Sequence, residues 1–323
     1  MVELAELRDP AKVEWVPSRF GYGDALVELG RENPDVVVLC CDLSESTRVH
    51  LFKKEFPKRF VEMGVAEQNM AVVAAGLALE GKIPFMSSYA VFSPGRNWDQ
   101  VRISICYNEA NVKMPGAHAG ISVGPDGATH QALEDIAITR ALPNMRVIVP
   151  CDYHEAKKTT KAVAAVKGPC YFRLGRDKTP VITTPDTPFE IGRAEVFRDG
   201  ADVALVACGP LVFEALVAAE ELQKKGVSAM VLNNHTVKPI DSSALEKAAR
   251  KCGAVVTAEE HQVMGGMGSA VCEALAKTYP VPVEFVGVQD SFGESGTPSE
   301  LMAKYGMKSP AVAQAAERVL KRR

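Results

Sequence analysis

Residues 34–42 read PDVVVLCCD, an unbroken apolar run from Val36 to Cys41 between a proline and an aspartate. A strand with one wet face alternates apolar and polar side chains; a run apolar at every position suits a strand buried on both faces. Outward from this run, Ile83 to Met86, Val112 to Met114, Val147 to Val149 and Cys170 to Phe172 read the same way. Between them, Gly21 to Arg31, Ala66 to Leu79, Asn97 to Tyr107, Gln131 to Ala141 and His154 to Ala165 carry helical spacing of apolar residues. Asn33-Pro34, Glu80-Gly81 and Gly168-Pro169 supply the stops. Strand alternating with helix predicts an α/β protein, its sheets mostly parallel and its crossovers right-handed.

The alternation breaks at Lys178 to Glu190, where Pro180, Pro185 and Pro188 stand among threonines, and this stretch reads as a linker. A second unit follows: strands Val203 to Ala207, Ala229 to Leu232, Ala254 to Thr257 and Val283 to Val286, with helices Leu211 to Lys225, Ser243 to Lys251 and one ending near Tyr279. The expected division is residues 1–180, a linker over 181–191, and residues 192–323, two domains each with a mostly parallel sheet flanked by helices. A chain of 323 residues with 47% apolar content suits two cores.

A net charge of -3 gives no reason to expect nucleic acid as a partner. No stretch approaches the roughly 18 apolar residues of a membrane span, and the N-terminal MVELAELRDPAKVEW carries acids where a signal peptide carries bases, so a soluble cytoplasmic protein is expected. The eight cysteines, Cys40, Cys41, Cys106, Cys151, Cys170, Cys208, Cys252 and Cys272, are scattered and mostly flanked by apolar residues, which suits buried free thiols. None lies in a C-x-x-C pair or beside a histidine at ligand spacing, and no metal is assigned to this chain itself.

Glu67 lies in MGVAEQNM, residues 63–70, where Gly64 ends a strand-like segment and Ala66 opens a helix. An acid there can simply complement the helix dipole. Its neighbours Val65, Ala66, Met70, Ala71, Val72 and Val73 are apolar, however. An acid buried among them would favour its neutral form, which can donate a hydrogen bond to a ring nitrogen. In PFMSSYAVFSPGR, residues 84–96, Met86, Tyr89 and Phe92 recur every third position, which puts them on one side of a turn or short helix, as core residues or as a pocket wall. His118, Asp126 and His130 share a stretch punctuated by Gly116, Gly120, Gly124 and Gly127, which let a backbone turn and approach a ligand.

Taken together, MGVAEQNM, PFMSSYAVFSPGR and HAGISVGPDGATHQALEDIAITRALPNMRVIVPCD resemble the transketolase family over nearly the whole chain. The resemblance implies the pyrimidine-binding domain of a thiamine-diphosphate-binding fold, followed by the family's C-terminal domain. It implies that Glu67 contacts the aminopyrimidine ring and activates thiamine diphosphate, and that Met86, Tyr89 and Phe92 line the ring's pocket. The family has an aromatic at the first of these positions; here a methionine thioether would cover the ring. His130 would be the catalytic histidine near the thiazolium, His118 a contact to substrate hydroxyl and phosphate, and Asp126 a hydroxyl contact. Arg19, Ser46 and Arg176 match positions that grip the sugar phosphate, and arginine suits bidentate phosphate binding. Asp42 falls where the family has an acid near the cofactor and the subunit contact, or is an ordinary turn residue.

EEHQVMGGMGSAVCEAL, residues 259–275, resembles the family's C-terminal domain. Gly265, Gly266 and Gly268 read as close packing of helix on sheet, although a glycine turn into a helix could also take an anion. His261 is expected at solvent or an interface, with no catalytic role. The Gly-Asp-Gly and asparagine motif that holds the diphosphate and its metal is missing; Asn233-Asn234 has no such triplet upstream. The resemblance therefore implies half of a split transketolase: a partner N-terminal subunit holding Mg²⁺ or another divalent cation, an α2β2 heterotetramer, and sugar phosphates as substrates. Within thiamine chemistry the alternatives are a split 1-deoxyxylulose-5-phosphate synthase or a 2-oxo-acid dehydrogenase beta subunit; outside it, a noncatalytic regulatory or partner-binding paralogue.

Overall fold

The computed structural model describes Leu4 and residues 13–323, so most of the acidic N-terminal stretch read above lies outside the described residues. The first unit contains Trp15–Pro17 (β1), Ser18–Glu32 (α1), Val36–Cys40 (β2), His50–Glu55 (α2), Phe60–Glu62 (β3), Glu67–Leu79 (α3) and Ile83–Tyr89 (β4). Trp98–Gln100 (α4) runs on as π-helical Val101–Tyr107, followed by Lys113–Ala117 (β5), the 3₁₀ turn Ile121–Asp126 and Asp135–Arg140 (α5). Arg146–Ile148 (β6), Tyr153–Ala165 (α6), Cys170–Arg173 (β7) and Lys178–Pro180 (β8) complete it. The second unit has Glu195–Arg198 (β9), Val203–Ala207 (β10), Leu211–Lys224 (α7), Ala229–Asn233 (β11), Thr236–Lys238 (β12) and Ser242–Cys252 (α8). Val255–Gln262 (β13), Met267–Lys277 (α9), Val283–Val288 (β14), Pro298–Lys304 (α10) and Ser309–Leu320 (α11) follow.

All five residues of β2 are buried, as their unbroken apolar character requires, and the strand lies parallel between β3 and β4. The first sheet runs β12-β6-β7-β5-β4-β2-β3 and the second β14-β13-β10-β11-β9. Only β12 and β9 pair antiparallel in them. Helices α1 and α6 cover one face of the first sheet, and Gly21 lets them close: a Cβ there would sit 2.1 Å from the Tyr153 carbonyl oxygen. Cap chemistry sets several helix starts. Asp152 accepts from the Glu155 N–H at α6, Asp241 from the Ala244 N–H at α8, and α10 carries a Thr297/Glu300 capping box.

The two units are stitched more closely than a linker between independent domains would make them. Strand β12 comes from the second unit yet extends the edge of the first sheet, with Thr236 opposite Ile148. The proline-rich stretch does not hang free: Lys178–Pro180 pairs with β1, and Asp152 accepts from the N–H groups of Ile182 at 2.8 Å and Thr183 at 2.6 Å. Prolines remove donors, but the carbonyls remain, and Lys158 Nζ binds those of Thr184 and Thr187. One apolar cluster accordingly draws Leu39 and Met86 from the first unit together with Val206 and Leu232 from the second. Among the described residues no helix is long and apolar enough to cross a membrane. Seven of the free cysteines are buried and Cys272 is partly so.

Candidate functional site

Parallel strands deliver their carboxyl ends to one edge of a sheet, where loops rather than ladder bonds decide the surface. In the first unit those ends lead β2 into Asp42, Ser46 and Arg48, β3 into Glu67, β4 into Tyr89 and Phe92, β5 into His118, and β7 into Arg176. Arg19 joins them at the start of α1.

Glu67 is 1% exposed at the first turn of α3. Its setting is not wholly apolar, as the neighbouring sequence suggested: Arg96 Nη1 donates to Glu67 Oε2 at 2.6 Å, from a side chain that is itself 46% exposed. Asn97 Nδ2 holds the Glu67 carbonyl at 3.1 Å. From Arg96 a strip of rings runs across the edge. The guanidinium lies 4.6 Å from the Phe92 ring centre, Phe92 stacks on Tyr89 at 5.9 Å, and Tyr89 stacks on His118 at 3.9 Å. His130 stands edge-on to Phe92 at 5.4 Å, and its Nδ1 meets Thr129 Oγ1 at 2.8 Å.

Met86 departs from this strip. The spacing of three suggested a turn or short helix, but Met86 and Tyr89 both belong to strand β4, where side chains alternate and a separation of three reverses the face. Met86 is wholly enclosed in the apolar cluster with Leu39 and Met70. Phe92 is half-buried at the edge and Tyr89 is enclosed between Phe92 and His118, whereas Met86 is core.

His118 has a left-handed backbone, φ 52, and is 3% exposed. Its Nδ1 is buried without a hydrogen-bond partner among the described residues. Burial, reinforced by the charges of Arg19 and Arg176, pushes its pKa down to about 3, so the ring is neutral at ordinary pH. Arg19 donates through Nη1 to the Arg176 carbonyl, and Arg176 Nη1 donates to the Val123 carbonyl at 2.7 Å. Arg176 Nη2 stands 3.8 Å from Asp126 Oδ1. Burial and then Arg176 lower the Arg19 pKa, the mark of cations held together with little water.

Two residues of this edge escaped the sequence reading. Arg96 ends the quoted PFMSSYAVFSPGR, and Arg48 lies two positions beyond Ser46. Arg48 adopts φ 69, its guanidinium is 4.1 Å from the Phe20 ring centre, and Gly23 makes room for it, since a Cβ there would sit 2.7 Å from the Arg48 Cβ. The Nε atoms of Arg19 and Arg48 are both buried with no hydrogen-bond partner among the described residues. Donors in that condition fit an anion. Ser46 is partly buried in the turn beside them, and Asp42 is exposed at φ 55 with its N–H bonded to Glu62 Oε1 at 2.7 Å.

In the second unit the glycine turn serves packing, and its N–H groups are taken by an internal carboxyl. Glu259 accepts from the N–H groups of Met267 at 2.6 Å and Gly268 at 2.8 Å, and a Cβ at Gly268 would lie 2.8 Å from Phe285. Of the two expectations for His261, solvent fails and an interface holds: it is fully buried between the units, its Nδ1 meeting the Gln262 carbonyl at 2.7 Å and its Nε2 taking the N–H of Ala137 in the first unit at 3.4 Å. Asn233 is likewise internal, bonded to Glu155 at 2.7 Å.

Residues 16–181 match the family model of the transketolase pyrimidine binding domain, and residues 192–312 that of the transketolase C-terminal domain. A chain of Methanocaldococcus jannaschii, described provisionally as a transketolase C-terminal section, is 45% identical over 92% of this chain and 94% of its own length. A 6-deoxy-6-sulfo-D-fructose transketolase subunit of a Clostridium species is 43% identical over 94% of both chains. A solved structure described as a split gene transketolase, inactive beta4 tetramer, superposes with a TM-score of 0.89 at 50% identity, over 95% of this chain and 99% of that one.

Proposed function

Because the chain belongs to the transketolase family, as the C-terminal subunit of a split enzyme, we propose that it is the ring-binding and sugar-gripping half of a thiamine-diphosphate-dependent ketol transferase. The observation that carries this reading is the unbroken line of contacts from Glu67 through Arg96, Phe92 and Tyr89 to His118, with guanidinium groups beyond it.

A carboxyl enclosed to 1% exposure and linked through Arg96 to stacked aromatic rings fits the aminopyrimidine half of thiamine diphosphate. The diphosphate and its divalent cation need other donors, and among the described residues no three His, Cys, Asp or Glu side chains group to hold a metal ion. The partner subunit would supply that site, in an α2β2 heterotetramer. A relative composed of the corresponding chain is described as an inactive tetramer, which agrees with a need for the partner.

When bound, the cofactor supplies the carbon nucleophile that carries a two-carbon unit from a ketose phosphate to an aldose phosphate. Glu67 would hold a ring nitrogen and move a proton there, giving up its bond to Arg96. Tyr89 and Phe92 cover the ring. His130 moves a proton at a substrate hydroxyl, while neutral His118 and Asp126 hydrogen-bond sugar hydroxyls. Arg19 and Arg176, with Ser46, hold the anionic end of the sugar, and Asp42 closes β2 near the partner. A sulfo sugar, as named for one relative, and a sugar phosphate share such an end.

The test is reconstitution. The chain mixed with an N-terminal subunit, thiamine diphosphate and Mg²⁺ should transfer a ketol unit from xylulose 5-phosphate to ribose 5-phosphate, and neither chain should do so alone. Turnover of pyruvate with glyceraldehyde 3-phosphate instead would make it a synthase, and full activity of the isolated chain would end the split-enzyme reading.

A further inference from the structure

The second unit contributes no group to the ring strip or the guanidinium cluster, yet one of its side chains reaches the loop between them. Glu260, in β13, is 2% exposed, and its Oε1 accepts the Ser122 N–H at 2.6 Å. Ser122 belongs to the 3₁₀ turn Ile121–Asp126, which starts after His118 and ends at Asp126. The same turn presents the Val123 carbonyl to Arg176. One hydrogen bond from the second unit therefore anchors the backbone between His118, Asp126 and Arg176.

The loop is shaped around that carboxylate. Gly120 has φ 88, and a Cβ on it would lie 2.4 Å from the Glu260 carboxyl, so only glycine admits this approach. Further along, a Cβ at Gly124 would meet Pro298 at 3.0 Å, and one at Gly127 would meet Ser295 Oγ at 2.6 Å. Gln131 bridges the Ile121 carbonyl at 3.2 Å and the Glu294 carbonyl at 3.0 Å. Behind the loop, Arg173 donates to Asp135 at 2.9 Å and to the Ala132 carbonyl at 3.0 Å, and its charge offsets part of the burial that pushes the Glu260 carboxyl up.

We infer that Glu260 is a positioning residue for the reaction proposed above, holding the 3₁₀ turn so that His118, Asp126 and Arg176 converge on the sugar. The C-terminal domain thereby acts on substrate binding without touching substrate. Cofactor binding depends first on Glu67 and the ring strip, held by α3 and β4, and the loop reaches that strip only through the rings of His118 and His130, so this contact acts mainly on the sugar. The inference rests on the sugar-gripping role of that loop.

Two substitutions separate geometry from charge in the reconstituted enzyme. Glu260→Asp keeps the charge facing Arg173 but withdraws the acceptor from Ser122 by one methylene. Glu260→Gln keeps an oxygen at full reach and gives up the charge. Positioning predicts that Asp raises the KM for the ketose phosphate about tenfold, the equivalent of one ordinary hydrogen bond lost. Gln should stay within about threefold, and Asp should change the thiamine diphosphate concentration for half-maximal activity by much less than it changes that KM. If Gln is the damaging variant and Asp the benign one, the residue serves charge balance and the inference fails. Equal changes in substrate and cofactor affinity would overturn it as well, by showing a general loss of structure. An unmodified reconstituted enzyme with no ketol transfer would instead sink the functional reading itself.

Discussion

Arg96 Nη1 and Glu67 Oε2 lie 2.6 Å apart, joining a half-exposed cation to a buried carboxylate at the point proposed for the cofactor ring. The guanidinium engages one of the two oxygens of the carboxyl proposed to hold the ring nitrogen, and the two are expected to compete for that carboxyl. A pair with one exposed partner is worth about 0.2–1 kcal/mol, and removing it is worth up to about fivefold in affinity. Arg96→Ala should lower the thiamine diphosphate concentration for half-maximal activity of the reconstituted enzyme by that much. A raised requirement would mean that Arg96 holds the cofactor rather than making way for it.

Removing the acid itself should have a larger and different effect. Glu67→Gln preserves the side chain's shape beside Arg96 and Asn97 but can no longer exchange a proton with the ring. Turnover should fall at least about a hundredfold, in the range of lost general acid–base catalysis. Subunit association, followed by sedimentation, should persist. Full turnover would remove Glu67 as the activating group.

The orphaned Nε atoms of Arg19 and Arg48 call for an anion. Inorganic phosphate should bind the purified chain and raise its melting temperature, and Arg48→Gln should weaken that binding about tenfold or more, as expected for a charge-assisted hydrogen bond. Arg19→Gln provides the comparison. If it weakens phosphate binding and Arg48→Gln does not, Arg48 stands on Phe20 for packing alone.

Much of this was legible because single segments carried it. The apolar run Val36 to Cys41 announced a doubly buried strand, and Val203 to Ala207 was read at its observed bounds. What escaped were features made by distant segments meeting. Strand β12 is three residues long and earns its ladder from β6, roughly ninety positions away in sequence, so no local periodicity marks it. The stretch Gln131 to Ala141 looked helical throughout, but the helix begins only at Asp135 because Gln131 is drawn off to bridge Ile121 and Glu294. Met86 illustrates the cost of a wrong period: the spacing of three suggested one side of a turn or short helix, and on strand β4 it turns Met86 into the core instead. Arg48 and Arg96 were hidden because an isolated arginine reads as surface until its neighbours are known.

His118 supplies a pH test. Its folded pKa, about 3, lies below the 6.5 of an unfolded histidine, so the unfolded chain takes up the proton first. The contribution is fully present above about pH 6.5 and is lost as pH falls toward 3. The His118 ring signal in an NMR titration should not move between pH 8 and 5, and Arg19→Gln should shift its titration upward by removing a repelling charge. A midpoint near 6.5 in the unaltered chain would contradict the burial and the cationic surroundings described above.

Glu155 has the opposite sign. It is fully buried beside Asp152, accepts the Cys151 N–H at 2.6 Å and Asn233 Nδ2 at 2.7 Å, and is pushed up to about 7, first by burial and then by the Asp152 charge. A carboxyl raised above its unfolded value of 4.5 contributes fully below that pH. The contribution is lost as pH climbs to about 7, because the unfolded chain releases its proton first. Glu155→Gln cannot ionise and so should escape that loss. Its amide needs an acceptor where Glu155 now receives Asn233, and Asn233 can provide one by flipping, since its Oδ1 has no hydrogen-bond partner among the described residues. The variant should therefore gain stability relative to the parent between pH 4.5 and 7. At pH 8 the advantage should approach about 3 kcal/mol, on the order of 4–5 °C in melting temperature for a chain of this size. Melting curves of both proteins at pH 5 and pH 8 decide it: a difference that does not widen with pH would show that Glu155 is not the group whose ionisation strains the junction between β11 and α6.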